Sequence, residues 1–108
     1  MLDEAAFRHH CDSAMDALKK ILIETEEDGG FEVEEQGGVL NILFDDPPGK
    51  FVITPNTPAR QIWISALSTS FKLDWSDAAN AFVLPKTGET LGVVVDRVVK
   101  QHLGEHLG

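Results

Sequence analysis

The chain has 108 residues, of which 43% are hydrophobic and 25% charged, and its formal net charge is −9. That length corresponds to one domain with a single core, and no run of about 18 apolar residues predicts a membrane span. So acidic a surface disfavours nucleic acid and anionic membranes as partners and favours cations and basic proteins. The N-terminal residues predict neither a signal nor a transit peptide, so we expect a cytoplasmic protein of bacterial type, with a processed organellar chain as the alternative.

Apolar residues at spacings of three, four and seven predict an amphipathic helix over residues 3–23. The predicted stripe consists of Phe7, Cys11, Ala14, Leu18, Ile21 and Leu22. The glycines of the segment at 27–30 predict the end of the helix, so we expect residues 24–36 to form an acidic link and the first strand. Cys11 is the only cysteine. One thiol cannot hold a cluster or a structural zinc by itself, and we predict a buried apolar role for it.

Short segments with alternating polarity predict about six strands in hairpin succession over residues 31–85. These segments are FEVEE, VLNILF, KFVIT, RQIWIS, FKLDW and NAFVL, with turns predicted at GG (37–38) and DDPPG (45–49). In RQIWIS, strand parity directs Ile62 and Ile64 to the core and Gln61 and Trp63 to solvent. An outward tryptophan is either covered by a cross-strand neighbour or an anchor for a binding partner. Parity alone leaves both readings open.

A second helix is predicted over residues 86–103. Thr87 is its expected N-cap and Glu89 suits the positive end of the helix dipole. Strands that follow one another in hairpins pair antiparallel, and two flanking helices can cover one face of such a sheet. We therefore expect a single α+β domain over residues 1–108: a two-layer α-β sandwich whose sheet occupies residues 37–85 after the first strand and whose second face is open to water.

The negative charge is concentrated near the N-terminus. Residues 1–36 contain eleven acids and three bases and so account for −8 of the net −9. Carboxylate oxygens suit hard cations and also bind ferrous and ferric iron. No EF-hand spacing and no H-E-x-x-H motif occurs, so we expect weak binding, roughly in the micromolar-to-millimolar range of loose carboxylate sites. The predicted ligands are Asp12, Asp16, Glu24, Glu26, Glu27, Asp28, Glu32 and Glu34, with His9 as a source of one nitrogen. A merely solvated acidic face is the alternative.

The sequence contains no recognisable catalytic constellation. The serines at 65, 68 and 70 stand outside any G-x-S-x-G elbow, and His10 and His102 have the isolated positions typical of structural histidines. We therefore expect no catalytic turnover.

The chain resembles the frataxin family, in its short bacterial CyaY-like form, over roughly residues 3–103. The segments that carry the resemblance, in family order, are the acidic first helix and link, GGVLNILF, FVIT, TPARQIWIS, LDW and KTGET. The stretch Gln61-Ile62-Trp63 is the most specific of them. Two features depart from the family pattern. Thr54 stands where eukaryotic members commonly have Asn, and glutamate with Gly29 and Gly30 replaces an aspartate-rich link, so iron is expected to be held differently there.

The resemblance implies two helices on an antiparallel sheet and a role in iron–sulfur cluster assembly. It implies weak binding of Fe²⁺ and Fe³⁺, and of other divalent cations, on the acidic residues. The implied partners are a cysteine desulfurase, contacted through Glu24 and Glu26, and the iron–sulfur scaffold protein, anchored by Gln61 and Trp63. A monomer that iron can drive into oligomers is implied as well. Two rival functions are a ferroxidase or iron-storage enzyme and an acidic protein-binding module with no metal role.

Overall fold

The chain folds in the order helix, six strands, helix. The computed structural model describes residues 2–45 and 48–107, and it describes the backbone alone at 27–29 and 105–107. The elements are α1 (Glu4–Gly29), β1 (Phe31–Gln36), β2 (Val39–Asp45), β3 (Pro48–Asn56), β4 (Gln61–Ala66), β5 (Thr69–Ser76), β6 (Ala81–Val83) and α2 (Leu91–Leu107). Each strand pairs antiparallel with its neighbours in the chain, giving one sheet in the order β1-β2-β3-β4-β5-β6. This confirms the predicted two-layer α-β sandwich.

One face of the sheet forms the core with both helices. Alternate residues of the central strands, such as Ile53 and the paired Ile64, are fully buried, and they pack with buried residues of α1 and α2 such as Phe7 and Val98. No polar or charged side chain is buried among the described residues. The core is therefore held by apolar burial, and the open face of the sheet is free to carry polar and aromatic groups.

Helix α1 ends six residues later than predicted. Asp3 caps its start by accepting a 2.7 Å hydrogen bond from the Ala6 amide, and Gly30, with φ of 76°, ends it in the left-handed conformation. No glycine or proline interrupts the chain before Gly29, so nothing stops the helix at residue 23. The acids at 24–28 consequently lie on the last turns of α1 rather than in a link. Ile21, predicted to be buried, is 56% exposed.

Helix α2 begins five residues later than predicted and extends further. Thr90 precedes it, and its carbonyl accepts from the Val94 amide at 2.9 Å. The prediction of Thr87 as the N-cap is wrong, because its hydroxyl accepts from the Glu89 amide at 3.1 Å in the preceding turn. Glu89 lies ahead of the helix rather than in its first turn, where it bonds Arg97. A bridge between residues 83 and 90 continues the sheet and delays the helix.

The turns are mostly as expected. The glycines at 37 and 38 have φ of 60° and 83°, which the tight hairpin between β1 and β2 requires. The predicted turn DDPPG includes residues 46 and 47, which lie outside the described residues, and β3 begins at Pro48. Neither α1 nor α2 combines the length and apolarity needed to cross a membrane, over the residues described.

Candidate functional site

The eight predicted metal ligands, which we refer to as the acidic surface, are distributed over α1 and β1. They are Asp12, Asp16, Glu24, Glu26, Glu27, Asp28, Glu32 and Glu34. The side chains of residues 27 and 28 lie outside the part of the chain whose side chains the structure describes. The other six can be placed individually, and they do not form one compact cluster.

Asp12 and Asp16 are exposed and one turn apart on α1. The carboxylate of Asp16 lies 3.4 Å from the Lys20 ammonium in an exposed i,i+4 pair, a type of contact that contributes little. Neither Asp12 nor Glu24 forms an ion pair with any side chain that the structure describes. Glu24 is exposed, and helical geometry rotates it by about 80° from Asp16. The α1 carboxylates therefore cover a broad arc of the helix.

The Glu26 carboxylate forms a hydrogen bond with the backbone of β1. It is half-buried, and its Oε2 accepts a 3.1 Å hydrogen bond from the backbone amide of Val33 on β1. The last turns of α1 are thereby joined to the edge strand. Releasing this carboxylate to a metal would leave the Val33 amide without its partner, so Glu26 is a poorer metal ligand than its position in the sequence suggests.

Strand β1 contributes two carboxylates that have no ionic or hydrogen-bonding partner among the residues described. Glu32 and Glu34 are exposed and alternate with Phe31, which packs in the core, so they lie toward the open face of the sheet. The next acid, Glu35, faces α1 and pairs with Lys19 at 2.8 Å. That hydrogen bond and the charge of Glu35 raise the pKa of the Lys19 ammonium.

The charge balance leaves a negative surface. All three bases of the first 36 residues are paired with an acid: Arg8 with Glu4, Lys19 with Glu35 and Lys20 with Asp16. Four members of the acidic surface keep no ionic or hydrogen-bonding partner within the described structure: Asp12, Glu24, Glu32 and Glu34. Over the described residues, no three His, Cys, Asp or Glu side chains are placed to hold a metal ion together. Such an arrangement suits adjustable binding of cations or of a basic protein.

The open face of the sheet carries the second predicted surface. The indole nitrogen of Trp63 donates to Gln61 Oε1 at 2.8 Å, and Gln61 Nε2 donates to Asp74 Oδ1 at 3.0 Å. The Lys72 ammonium lies 4.9 Å from the centroid of the Trp63 ring, within the range of a cation–π contact. We refer to Gln61, Trp63, Lys72 and Asp74 as the tryptophan cluster. Its members lie side by side on β4 and β5.

Sequence reasoning missed Lys72 and Asp74. The signal was available in the hairpin: antiparallel pairing of RQIWIS with FKLDW sets Trp63 opposite Lys72 and Gln61 opposite Asp74. The cluster also shows that a cross-strand neighbour does cover Trp63. That packing is compatible with an anchor role, because Trp63 remains half-buried rather than buried.

The cysteine and the histidines, the other residues with reactive side chains, are characterised by their contacts. Cys11 is 2% exposed, and desolvation, with a smaller contribution from Asp12, raises the pKa of its thiol to about 11. The His10 ring stacks on Trp75 with centroids 3.8 Å apart, and His102 packs on Phe44 at 4.3 Å. His9 is exposed and its only described ring contact is with His10.

Comparison with known proteins matches this architecture to one family. A family model described as a frataxin-like domain matches residues 1–105. The iron–sulfur cluster assembly protein CyaY of Pseudomonas entomophila (strain L48) is 31% identical over 106 residues, which cover 98% of this chain and 94% of that protein. CyaY of Azotobacter vinelandii is 26% identical over 106 residues, with the same two coverages.

Solved structures show the same fold. Frataxin from Psychromonas ingrahamii superposes with a TM-score of 0.74 at 18% identity and covers 94% of this chain and 91% of its own. Yeast frataxin gives a TM-score of 0.71 at 23% identity, with coverages of 92% and 81%.

Proposed function

The chain belongs to the frataxin family, and on that basis we propose that it is an accessory protein of iron–sulfur cluster assembly. In this proposal it binds Fe²⁺ and Fe³⁺ weakly on the acidic surface and docks on the cysteine desulfurase and the scaffold protein of that process. The CyaY relatives are named as iron–sulfur cluster assembly proteins, which supports the general role. The observation that carries the finer proposal is the set of unpaired carboxylates on α1 and β1.

Unpaired carboxylates all carry negative charge, so they repel one another and oppose folding. The three bases of the first 36 residues pair with Glu4, Glu35 and Asp16. Asp12, Glu24, Glu32 and Glu34 are therefore left without a compensating base among the described residues. A cation or a basic protein that settles there removes this repulsion and gains attraction. Because the ligands are exposed and spread over two elements, the binding is weak and discriminates little between one cation and another.

The two proposed surfaces adjoin the same open sheet face. Glu32 and Glu34 on β1 and Trp63 on β4 are separated by strands β2 and β3, a distance of about 14 Å at the usual spacing between strands. A desulfurase held at the acidic surface and a scaffold protein held at the tryptophan cluster would then be near each other. This supports docking on a complex of the two rather than on either protein alone.

The proposal is tested by neutralising three of the four unpaired carboxylates together, as Glu24→Gln, Glu32→Gln and Glu34→Gln. Calorimetric titration with Fe²⁺ under anaerobic conditions should show affinity lowered about tenfold, because opposite charges at close range are lost. The matched control removes three exposed acids outside the acidic surface, Glu4→Gln, Asp45→Asn and Asp96→Asn, and should bind nearly as the native protein does. Equal losses in both triple variants would show that iron responds only to net charge.

Docking is tested separately with purified cysteine desulfurase. The same carboxylate variant should bind the desulfurase more weakly than the control variant, and added salt should narrow the difference. Repeating the titration with and without iron distinguishes the rival hypothesis of a module without a metal role. An affinity that iron leaves unchanged favours that rival.

A further inference from the structure

The outer edge of β1 is a free edge of the sheet, since β1 stands first in the strand order. In an antiparallel ladder, alternate residues direct both backbone groups toward the partner strand and the others direct them away. The Val33 amide donates to Glu26 on α1, so Val33 is one of the residues that face away from β2. By the same alternation, Phe31 and Glu35 also direct their backbone groups to the outer edge.

Glu26 closes the middle of this edge. Its carboxylate accepts the hydrogen bond of the Val33 amide. That amide is the central donor that an added strand would need. The pair of Lys19 with Glu35, at 2.8 Å, holds α1 beside the next outward-facing residue. The cover consists of side-chain contacts from α1 and not of another strand, so rotation of the Glu26 side chain alone can free the Val33 amide.

The side chains that border the edge select the chemistry of a partner strand. Glu32 and Glu34 stand on one face of β1, exposed and unpaired. Opposite charges directly across a pair of strands stabilise the pair and like charges destabilise it. A second copy of β1 would bring glutamates against glutamates. An extended segment with lysine or arginine at alternate positions would bring cations to Glu32 and Glu34 instead.

We propose that the β1 edge accepts an extended basic segment of a partner protein as a seventh strand, and that Glu26 is the autoinhibitory contact that keeps this edge closed. The inference rests on the proposed function in one respect, namely that the acidic surface attracts a basic partner. It adds the mode of contact, which is pairing of backbone groups along β1, and it assigns to Glu26 an effect opposite to that of the other acids.

The probe is a six-residue peptide of alternating lysine and valine, matched in length to β1 and blocked at both ends. A second peptide of the same sequence is N-methylated at alternate residues, which keeps its charge and removes its pairing donors. Binding is followed on ¹⁵N-labelled protein by chemical shifts and by amide hydrogen exchange. The unmethylated peptide should bind more tightly and slow the exchange of the Phe31 and Glu35 amides.

Three single variants separate the effect of the Glu26–Val33 hydrogen bond from the effect of charge. Glu26→Ala removes the hydrogen bond to Val33 and one charge. It should bind the unmethylated peptide about fivefold more tightly, which corresponds to one net hydrogen bond, because Glu26 no longer competes with the peptide for the Val33 amide. Glu24→Ala removes a charge without touching the edge and should weaken binding. Glu26→Gln keeps an acceptor for the Val33 amide, so it should retain the native protection of that amide and should not bind more tightly.

Either of two results would overturn the proposal. One is an equal loss of peptide affinity in Glu26→Ala and Glu24→Ala, and the other is equal binding of the two peptides by the native protein. Each would leave general attraction to the acidic surface intact, so the proposed function would survive. Absence of binding by both peptides, together with unchanged iron affinity in the neutralised variant described above, would count against both. Glu26→Gln loses the same charge as Glu26→Ala but keeps the hydrogen bond, so the difference between the two variants measures the hydrogen bond alone. The comparison of the two peptides on the native protein does not depend on the folding of either variant.

Discussion

The indole nitrogen of Trp63 and the side-chain oxygen of Gln61 form a 2.8 Å hydrogen bond between neighbours on the open face of β4. Gln61 is fixed in turn by Asp74, and the Lys72 ammonium covers the indole ring. The largest side chain on this face is thus held in one orientation before any partner arrives. A side chain ordered in advance loses less conformational entropy on binding, which suits Trp63 to an anchor role.

Replacing Gln61 by Ala should weaken binding of the iron–sulfur scaffold protein. The change leaves the Trp63 indole without its acceptor and frees the ring to move. We expect the free energy of unfolding to fall by about 1 kcal/mol, the usual net value of a hydrogen bond, and scaffold affinity measured by calorimetry to fall severalfold. Ser65→Ala, an exposed position on the same face of β4, is the control. Native scaffold affinity in Gln61→Ala would show that the ordering of Trp63 is immaterial.

The ion pair of Glu89 with Arg97 should make stability depend on pH in the acid range. Arg97 donates to both carboxylate oxygens, at 2.9 and 3.1 Å, and these bonds, followed by one from Thr87, lower the pKa of Glu89 below its usual 4.5. A lowered pKa in the folded state contributes stability that is present above the unfolded value and lost as the pH falls through the folded value.

The test compares Glu89→Gln with the native protein by urea denaturation across this range. The variant should be less stable at neutral pH. The difference should shrink as the pH drops below about 4.5, because the carboxylate of the unfolded chain takes up its proton there while the native carboxylate keeps its charge to lower pH. A difference that stays constant down to the acid unfolding of the protein would mean that the pair acts through packing alone.

The fold could be predicted from the sequence because its signals are local. Alternation along each strand and short turns such as that at 37–38 determine a meander without long-range information. The helix ends were less predictable, since they depend on tertiary contacts. The bond from Val33 to Glu26 helps to hold the last turns of α1, and the bridge from residue 83 to residue 90 delays α2. Neither contact leaves a local pattern.

The candidate surfaces were predictable as regions but not as sets of equivalent residues. The distribution of charge along the sequence located the acidic surface. It could not show that Glu26 bonds to the backbone of β1 while Glu24 has no partner in the part of the chain that the structure describes. Strand parity placed Trp63 outward and beside Gln61 on β4, but the contacts of Trp63 with Lys72 and of Gln61 with Asp74 depend on the register between β4 and β5. Register comes from the whole sheet rather than from one segment.

Cys11 should be chemically inert in the native protein. Burial raises its thiol pKa from the ordinary 9.0 to about 11, which leaves roughly a hundredfold less reactive thiolate near pH 8. Labelling with iodoacetamide at that pH should therefore proceed only through unfolding, and should become fast in denaturant. Rapid labelling of the native protein would contradict the burial of this side chain.

Two glycine substitutions should have opposite effects on stability. A Cβ at Gly49 would lie 2.7 Å from Cε1 of His102, so Gly49→Ala must displace the ring and should cost about 1–3 kcal/mol. Gly92 in α2 has no atom within 4 Å of the corresponding position. Gly92→Ala should therefore stabilise the helix by roughly 0.5–1 kcal/mol. Thermal unfolding followed by circular dichroism measures both, and equal effects would place His102 away from β3.

The most direct test of the central claim is a titration of ¹⁵N-labelled protein with Fe²⁺, followed residue by residue. Unpaired carboxylates on α1 and β1 should draw the paramagnetic ion to themselves. We predict early broadening of the amides at Asp12, Glu24, Glu32 and Glu34 and little change at the indole of Trp63. Broadening spread evenly over the chain, or absent from α1 and β1, would contradict the account.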